Sequence, residues 1–197
     1  RMMAHLGIRQ VLDNHTYRIR LKKILNKLNI KYTDKSPEVT VLGHAKNPND
    51  ADYIIEQFKC QTYKNKKLFL LVETFDNYLE YFKKYNDGQI EIFIREYVVN
   101  KYPNITEWVE TEFVTFFSEK DYYGKYYLHD LINATKYTDA DFIGKKTYFE
   151  KVNDEYVISK NDKEYEFVQS LEPACTIVKT KVFNRQSIKT LYNHLVN

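Results

Sequence analysis

The chain has 197 residues, of which 43% are hydrophobic and 29% are charged, with 5 Gly, 4 Pro and 2 Cys. These proportions exclude collagen-like, low-complexity and disulfide-scaffold proteins, and the 18 Tyr and 12 Phe exclude a disordered chain. The net charge of +3 comes from 30 basic and 27 acidic residues that are interspersed along the chain, so we expect no nucleic-acid partner. No apolar run approaches the roughly 20 residues of a membrane span.

The first part of the chain has the spacing of helices. Apolar residues recur at helical intervals in two groups, which are Leu6, Ile8, Val11 and Leu12, and then Leu21, Ile24, Leu25 and Leu28. Thr16 lies between the groups and is a candidate N-cap for the second helix. We expect 1–36 to form a helical segment and a linker, ahead of a domain over 37–197.

Strand and helix patterns alternate from residue 39 onward. Apolar or β-branched runs predict strands over 39–42 with a turn at Gly43, and over 68–72, 90–94 and 113–117. Helical patterns lie between them: one has Asn49 or Asp50 as its candidate N-cap and ends at Cys60, one carries Tyr78, Leu79 and Phe82, and a short one follows Pro103. This alternation is typical of an α/β protein with a parallel sheet and crossover helices.

The pattern changes after Gly124. A helix is predicted to about residue 136, followed by strands over 141–151, 155–159, 164–171 and 175–183, partly antiparallel, and by a helix over 187–196. The fold prediction is therefore α/β with a mixed sheet flanked by helices.

The two cysteines, Cys60 and Cys175, are far apart in sequence and have apolar neighbours. This arrangement favours two buried free thiols over a disulfide or a metal pair. Because the sequence also lacks the pattern of a secretory signal, we expect a cytoplasmic protein.

Polar residues follow each buried strand of the first half. They include His44, Glu73, Arg95 and the segment 118–121. In open α/β sheets, ligands bind beyond the carboxyl ends of the strands, so these residues are candidates for a binding site. The same pattern also fits ordinary solvated loops, and the residues alone leave both interpretations open.

The fourth strand end carries two carboxylates, Glu119 and Asp121, with Lys120 between them. The carboxylates could bind a divalent cation that neutralises a diphosphate, and Lys120 could itself offset phosphate charge. Lys120 could equally form a structural ion pair with either carboxylate, and the residues taken alone favour that interpretation.

Four segments in chain order resemble the family 2 glycosyltransferases with the GT-A fold. They are EVTVL with AKNPN in 38–49, QTYKNKKL in 61–68, FVTFFSEKDYYG in 113–124 and YTDADFIGK in 137–145. The second is similar to the family's QTYxNxE segment, the third to YIxxFDDDDYYG, and the fourth to the ytdADivGK stretch of a bacillus-type subgroup. The segment NHTYRIR in 14–20 resembles the end of a spore-maturation-type glycosyltransferase domain, and such a domain can precede the family 2 domain in that subgroup. On this resemblance, 1–36 would be the tail of a preceding domain.

The resemblance implies a GT-A-like sheet and a nucleoside-diphosphate sugar as the donor. In the family, the donor nucleoside lies against the loop after the first strand and the end of the second. By position, these are Ala45, Asn47 and Glu73.

The family's acidic DXD-type motif binds a divalent metal, Mn or Mg, that holds the donor diphosphate. By position it covers 118–121, which implies Glu119 and Asp121 as metal ligands and Ser118 and Lys120 as donor-binding residues. Ser118 and Lys120 stand where the family has acidic residues, so the motif is degenerate.

The general base that the family supplies near its C-terminus has no counterpart here, because no Asp or Glu follows residue 175. A general base contributes about 100- to 10,000-fold to such a reaction. Three alternatives follow: the domain is truncated before the base, Glu172 or His194 replaces it, or the fold is degenerate and binds without turnover. The sequence therefore assigns no catalytic residue.

Two functions follow from the resemblance. The first is an enzyme that transfers a sugar from a nucleoside-diphosphate donor to a glycan, teichoic-type or protein acceptor. The second is a pseudo-glycosyltransferase that acts as a binding or scaffold module.

Four tyrosines follow the acidic segment: Tyr122, Tyr123, Tyr126 and Tyr127. Each could stack on a sugar or pack in the core. Packing is favoured for Tyr126 and Tyr127, and both interpretations stay open for Tyr122 and Tyr123.

Overall fold

The computed structural model describes residues 2–33, 36–75, 78–153, 155–159 and 165–190. Two helices come first, α1 (Met2–Asn14) and α2 (Tyr17–Lys27). The α2 helix begins after Thr16, whose hydroxyl accepts a hydrogen bond from the Ile19 amide, and this confirms the predicted N-cap. No helix in the described ranges has both the length and the apolar character needed to cross a bilayer.

Six strands form one mixed sheet. They are β1 (Val39–Ala45), β2 (Lys66–Val72), β3 (Ile90–Ile94), β4 (Phe113–Phe117), β5 (Phe142–Gly144) and β8 (Thr176–Lys179), in the order β3-β2-β1-β4-β8-β5. The first four are parallel to one another, and β8 runs antiparallel to both β4 and β5. The predicted mixed α/β fold is confirmed.

Two further strands, β6 (Tyr148–Val152) and β7 (Glu155–Ser159), pair with each other as a separate antiparallel hairpin. The sequence predicted one continuous strand over 141–151. The structure divides that range into β5 and β6, which belong to different sheets.

The sheet is covered on both faces, as its continuous apolar strands require. Four helices accompany it, α3 (Pro48–Cys60), α4 (Tyr78–Tyr85), α5 (Arg95–Lys101) and α6 (Tyr127–Ala134), with 3-10 turns at Ile105–Glu107, Pro173–Cys175 and Thr180–Arg185. One apolar cluster joins alternate strand residues to α3 and α6, through side chains such as Phe58 and Leu128. A second cluster on the other face contains Leu42, Trp108 and Phe183.

Several predicted boundaries were wrong. No turn occurs at Gly43, because β1 continues to Ala45. A β-carbon at Gly43 would lie 2.8 Å from Ile54 Cγ2, so glycine allows α3 to pack closely against the strand. The α5 helix was not predicted, and it begins at Arg95, directly after β3.

The C-terminal part also differs from the prediction. No strand occurs in 165–171, and 160–164 lie outside the described residues. The strand predicted over 175–183 ends at Lys179 and continues as a 3-10 helix. A helix begins at Ile188, and the rest of the helix predicted over 187–196 lies beyond the described ranges from residue 191.

The α1 helix lies against α6 through charged side chains. Arg9 Nε and Nη2 donate to the Asp130 carboxylate at 2.6 and 3.0 Å, and Lys145 Nζ lies 3.2 Å from the same group. One turn further along α1, Asp13 pairs with His129 at 2.9 Å. The first helix therefore packs on α6.

Candidate functional site

A cleft of about 280 Å³ opens at the carboxyl ends of β1 and β4. These strands are parallel neighbours, so their ends reach the same edge of the sheet. The cleft is lined by Leu42, Gly43, His44, Lys46, Leu71, Ile105, Trp108, Phe116, Phe117, Ser118, Glu119, Lys120, Asp121, Pro173, Ala174 and Ile188. The structure thus brings His44 and the whole acidic segment 118–121 into one cavity.

Hydrogen bonds and one ring contact hold the acidic segment in a turn. Ser118 Oγ accepts a hydrogen bond from the Lys120 amide at 3.0 Å, and Tyr53 Oη donates to the Asp121 carbonyl at 3.1 Å. Tyr123 Oη accepts from the Ser118 amide at 3.0 Å, and its ring stacks on Phe117 at 3.9 Å. Burial raises the pKa of Tyr123, so its hydroxyl stays neutral while it supports the turn.

Electrostatics in the turn suit a cation. Partial burial raises the pKa of Asp121, and the nearby charge of Glu119 raises it further. Lys120 opposes this shift, but it forms no ion pair within 4.0 Å in the described part of the chain. The structural ion pair considered for Lys120 is therefore absent, and its ammonium is exposed at the edge of the cleft.

The donor set of the turn fits a divalent metal that binds together with a ligand. No group of three metal-ligating side chains exists among the described residues. Mg²⁺ is commonly bound by one or two carboxylates, with phosphate oxygens and water as the other ligands. Glu119 and Asp121 fit that arrangement if a diphosphate supplies part of the coordination.

Three titratable residues from the ends of β1, β2 and β3 meet beside the cleft. His44 Nε2 lies 3.1 Å from Glu73 Oε1 and donates to it, because a carboxylate only accepts, and Arg95 Nε lies 3.2 Å from the same oxygen. Burial lowers the pKa of His44, while the hydrogen bond to Glu73 acts in the opposite direction. The sequence placed these residues at the ends of three strands, and the parallel order of the strands brings them together.

Two of the residues assigned to the donor have structural contacts in this fold. Ala45 is fully buried, and its carbonyl accepts from the Glu73 amide at 3.0 Å. Asn47 is the N-cap of α3, with its Oδ1 accepting from the Asp50 amide at 3.1 Å, where the sequence had suggested Asn49 or Asp50 as the cap. Neither residue lines the cleft, and their donor-binding role stays a prediction.

The QTY segment, residues 61–63, contributes a buried glutamine that hydrogen-bonds to the chain directly after the acidic turn. The Gln61 side chain is buried and donates to the carbonyls of Tyr123 and Gly124 at 3.3 and 3.2 Å, while its Oε1 accepts from the Leu128 amide at 3.1 Å. Gln57 Oε1 accepts from the Tyr123 amide at 3.0 Å. Sequence reasoning missed this role, because the partners of Gln61 lie more than 60 positions further along the chain.

The far wall of the cleft comes from segments that the sequence did not connect with the site. Trp108 and Ile105 form an apolar side, and Pro173 and Ala174 precede β8. Glu172 is exposed beside Pro173, so it lies near the cleft without lining it. His194, the other suggested base, lies outside the described residues.

Comparison with solved structures identifies the fold. S. aureus TarS 1-349 matches 74% of this chain with a TM-score of 0.54 at 19% identity, and its complex with UDP-GlcNAc matches with a TM-score of 0.53 at 19% identity. The chain spans 48% and 46% of those structures, about half of their length. The shared architecture is a mixed α/β sheet of the GT-A glycosyltransferase type.

A mannosyltransferase from Pyrobaculum calidifontis, PcManGT in complex with GDP-Man and Mn²⁺, matches 73% of this chain and 43% of its own, with a TM-score of 0.39 at 15% identity. That likeness is too distant to support an inference. No protein-family model and no curated protein matches the chain.

Proposed function

We propose that this chain is a glycosyltransferase-like domain that binds a nucleoside-diphosphate sugar in the cleft between the ends of β1 and β4. The observation that carries the proposal is the meeting of Lys46, Lys120, Glu119 and Asp121 around one cavity at the carboxyl edge of a GT-A-type sheet. The likeness to the TarS complex with UDP-GlcNAc supports this choice of ligand class.

The charges around the cleft suit a diphosphate. Lys46 and Lys120 are exposed ammonium groups, which act as point charges toward phosphate oxygens. Glu119 and Asp121 would hold a divalent metal, Mn or Mg, and such a metal stabilises the negative charge of a departing diphosphate. The neighbouring apolar wall, which includes Trp108 and Ile105, would exclude water from one side of the donor.

Transfer of the sugar would deliver it to an acceptor hydroxyl of a glycan, a teichoic-type polymer or a protein. The attacking hydroxyl must lose its proton, and a carboxylate or imidazole within hydrogen-bond reach normally accepts it. Glu172 is the candidate for this base, because it is exposed directly before Pro173 in the cleft wall.

A second candidate function is a pseudo-glycosyltransferase that binds the donor without turnover. It is favoured by one observation: Glu119 and Asp121 are the only carboxylates among the described residues that line the cleft. If both hold a metal, neither is available as the base.

Calorimetric titration with UDP-, GDP- and dTDP-sugars, with and without Mn²⁺, tests the proposal. We expect one of these donors to bind more tightly with Mn²⁺, and Asp121→Asn to abolish the effect of the metal. Asp139→Asn, which changes an exposed carboxylate that does not line the cleft, is the matched control and should bind as the unsubstituted chain does. Failure of every donor to bind would refute the proposal.

Release of free nucleoside diphosphate in the presence of an acceptor distinguishes the two functions. The enzyme should release it, and Glu172→Gln should lower the rate by about 100-fold or more if Glu172 is the base. Donor binding without any release would favour the pseudo-glycosyltransferase.

A further inference from the structure

The second helix presents an apolar face to solvent. Four apolar side chains recur along α2 and its C-cap at intervals of four, three and four residues, so they lie on one side of the helix. Within the described ranges they are 53% to 91% exposed. These residues, here called the α2 stripe, are Tyr17, Leu21, Ile24 and Leu28.

A different side of α2 faces the rest of the protein. Ile19, Lys22 and Leu25 recur every three residues and are only partly exposed. Helix α2 contacts α1, and α1 is joined to α6 by the ion pair between Arg9 and Asp130. The α2 stripe therefore points outward from a helix that the fold holds in place.

The charges of α2 all have one sign. The helix carries five basic residues and no acidic one, and the sequence has no Asp or Glu from residue 14 to residue 33. Arg20 and Lys27 lie beside the α2 stripe, because they are four and three positions from Ile24. Both are exposed, and neither forms an ion pair within 4.0 Å in the part of the chain that the structure describes.

We propose that α2 binds the surface of an anionic lipid bilayer. The α2 stripe enters the boundary between headgroups and acyl chains, and the basic side chains beside it contact the lipid phosphates. The helix lies on the membrane and does not span it, because its 11 residues are far fewer than the roughly 20 of a span. This inference goes beyond the proposed function and does not depend on the cleft.

The combination of apolar area and positive charge on one helix favours this partner. A nucleic acid would match the charge, but its phosphate backbone leaves the α2 stripe in water. A second copy of the chain would match the stripe, but it would bring the basic side chains of two α2 helices together. An anionic bilayer matches both, because Lys and Arg can lay their apolar stems along the stripe and extend their charged ends to the phosphates.

Co-sedimentation of the full chain with lipid vesicles tests the proposal. The probes are phosphatidylcholine vesicles and vesicles of equal parts phosphatidylcholine and phosphatidylglycerol, in about 0.1 M salt. We expect binding to the anionic vesicles to be at least about tenfold tighter, since each basic side chain near an anionic surface contributes about fivefold. Raising the salt to about 0.5 M should weaken this binding, because salt screens the attraction.

Two double variants separate the apolar and the charged contributions. Leu21→Gln with Ile24→Gln removes half of the α2 stripe and should weaken binding to the anionic vesicles by about tenfold or more. Arg20→Gln with Lys27→Gln should weaken it by a similar factor.

Matched controls change the same residue types elsewhere on the surface. Leu79→Gln alters a leucine of α4 that is 59% exposed, and Lys181→Gln alters an exposed lysine. Both variants should bind the anionic vesicles as the unsubstituted chain does.

Fluorescence locates the contact on the helix. The chain has a single Trp, the buried Trp108, so the indole introduced by Tyr17→Trp reports on the α2 stripe against a constant background. Its emission should move to shorter wavelength when anionic vesicles are added, because indole settles at the level of the headgroups. Tyr97→Trp, at a tyrosine of α5 that is 55% exposed, is the control and should show no such shift.

Four results would overturn the proposal. The first two are absence of binding to the anionic vesicles and equal binding to both kinds of vesicle. The third is a loss of binding in the basic double variant without any loss in the apolar one, which would indicate a charged surface of the kind that binds nucleic acid. The fourth is self-association that disappears in the apolar double variant without any vesicle binding, which would indicate a second copy of the chain.

Discussion

The charge of His44 is set by two opposing influences, burial and the carboxylate of Glu73. Burial lowers the pKa of His44, and the hydrogen bond to Glu73 partly restores it. In Glu73→Gln the burial remains and the negative charge is lost, so the pKa of His44 should fall further. An NMR pH titration of the His44 ring measures this shift.

Glu96→Gln is the control for that titration, because Glu96 is exposed and does not contribute to the shifted pKa of His44. An unchanged His44 pKa in Glu73→Gln would contradict the strand-end contact that joins β1 to β2.

Gln61 is the residue on which the shape of the acidic turn most depends. Replacing it by leucine leaves the buried Tyr123 carbonyl and Leu128 amide without their partners. The expected cost is about 1–3 kcal/mol in the free energy of unfolding, measured by urea denaturation. Gln89→Leu, at an exposed glutamine, should change stability by less than about 0.5 kcal/mol, and an equal loss in both variants would contradict this role.

Single residues were predictable from sequence where their partners are local. Thr16 caps a helix that begins one residue later, so its role follows from neighbouring positions. Gln61 contacts residues more than 60 positions away, and no local pattern indicates those partners. The exposed state of Tyr122 beside buried Tyr123 also depends on the packing of Phe117.

At the scale of elements, α1 depends on the ion pair that joins it to α6. Burial raises the pKa of Asp130, but the hydrogen bond from Arg9 and the charge of Lys145 outweigh burial, so the net shift is downward. Both partners in the Arg9–Asp130 pair are about four-fifths buried. Arg9→Ala should therefore lower the free energy of unfolding by about 1–2 kcal/mol, between the values for exposed and buried pairs.

The pH dependence of this effect has a definite sign. A carboxyl with a lowered folded-state pKa stabilises the fold above its unfolded pKa of about 3.9, and that stabilisation is lost as pH falls through the folded value. The difference between Arg9→Ala and the unsubstituted chain should shrink as the pH is lowered through that window. Lys181→Ala, which removes a 4.0 Å surface contact with Asp141, should have little effect at any pH. A loss in Lys181→Ala as large as that in Arg9→Ala would contradict the assignment.

Elements with a strong apolar signal were predicted well, and weakly patterned ones were not. β2 and β4 are continuous apolar runs inside the sheet, and both were found in place. The α5 helix has only one fully buried side chain, Val98, so its short sequence carries little periodicity. β8 was predicted too long because Val182 and Phe183 are apolar, but they pack from a 3-10 helix.

At the scale of the whole molecule, the cleft exists only when distant parts of the chain come together. Its walls come from the ends of β1 and β4, the turn that contains Ile105, the segment before β8 and Ile188. The sequence indicated the first two through polar residues after buried strands. It could not indicate the others, because Trp108 and Ile188 look like ordinary core residues until the fold places them at a cavity.

The central claim is that this cleft binds a nucleoside diphosphate, and mapping of backbone amide shifts by NMR during titration with UDP and Mg²⁺ tests it most directly. We expect the largest shift changes at His44, Lys46 and 118–121, with little change at Gly7 and Tyr137, which line a separate groove beside α1. Saturating changes confined to the α1 groove, or no saturating change at all, would contradict the claim.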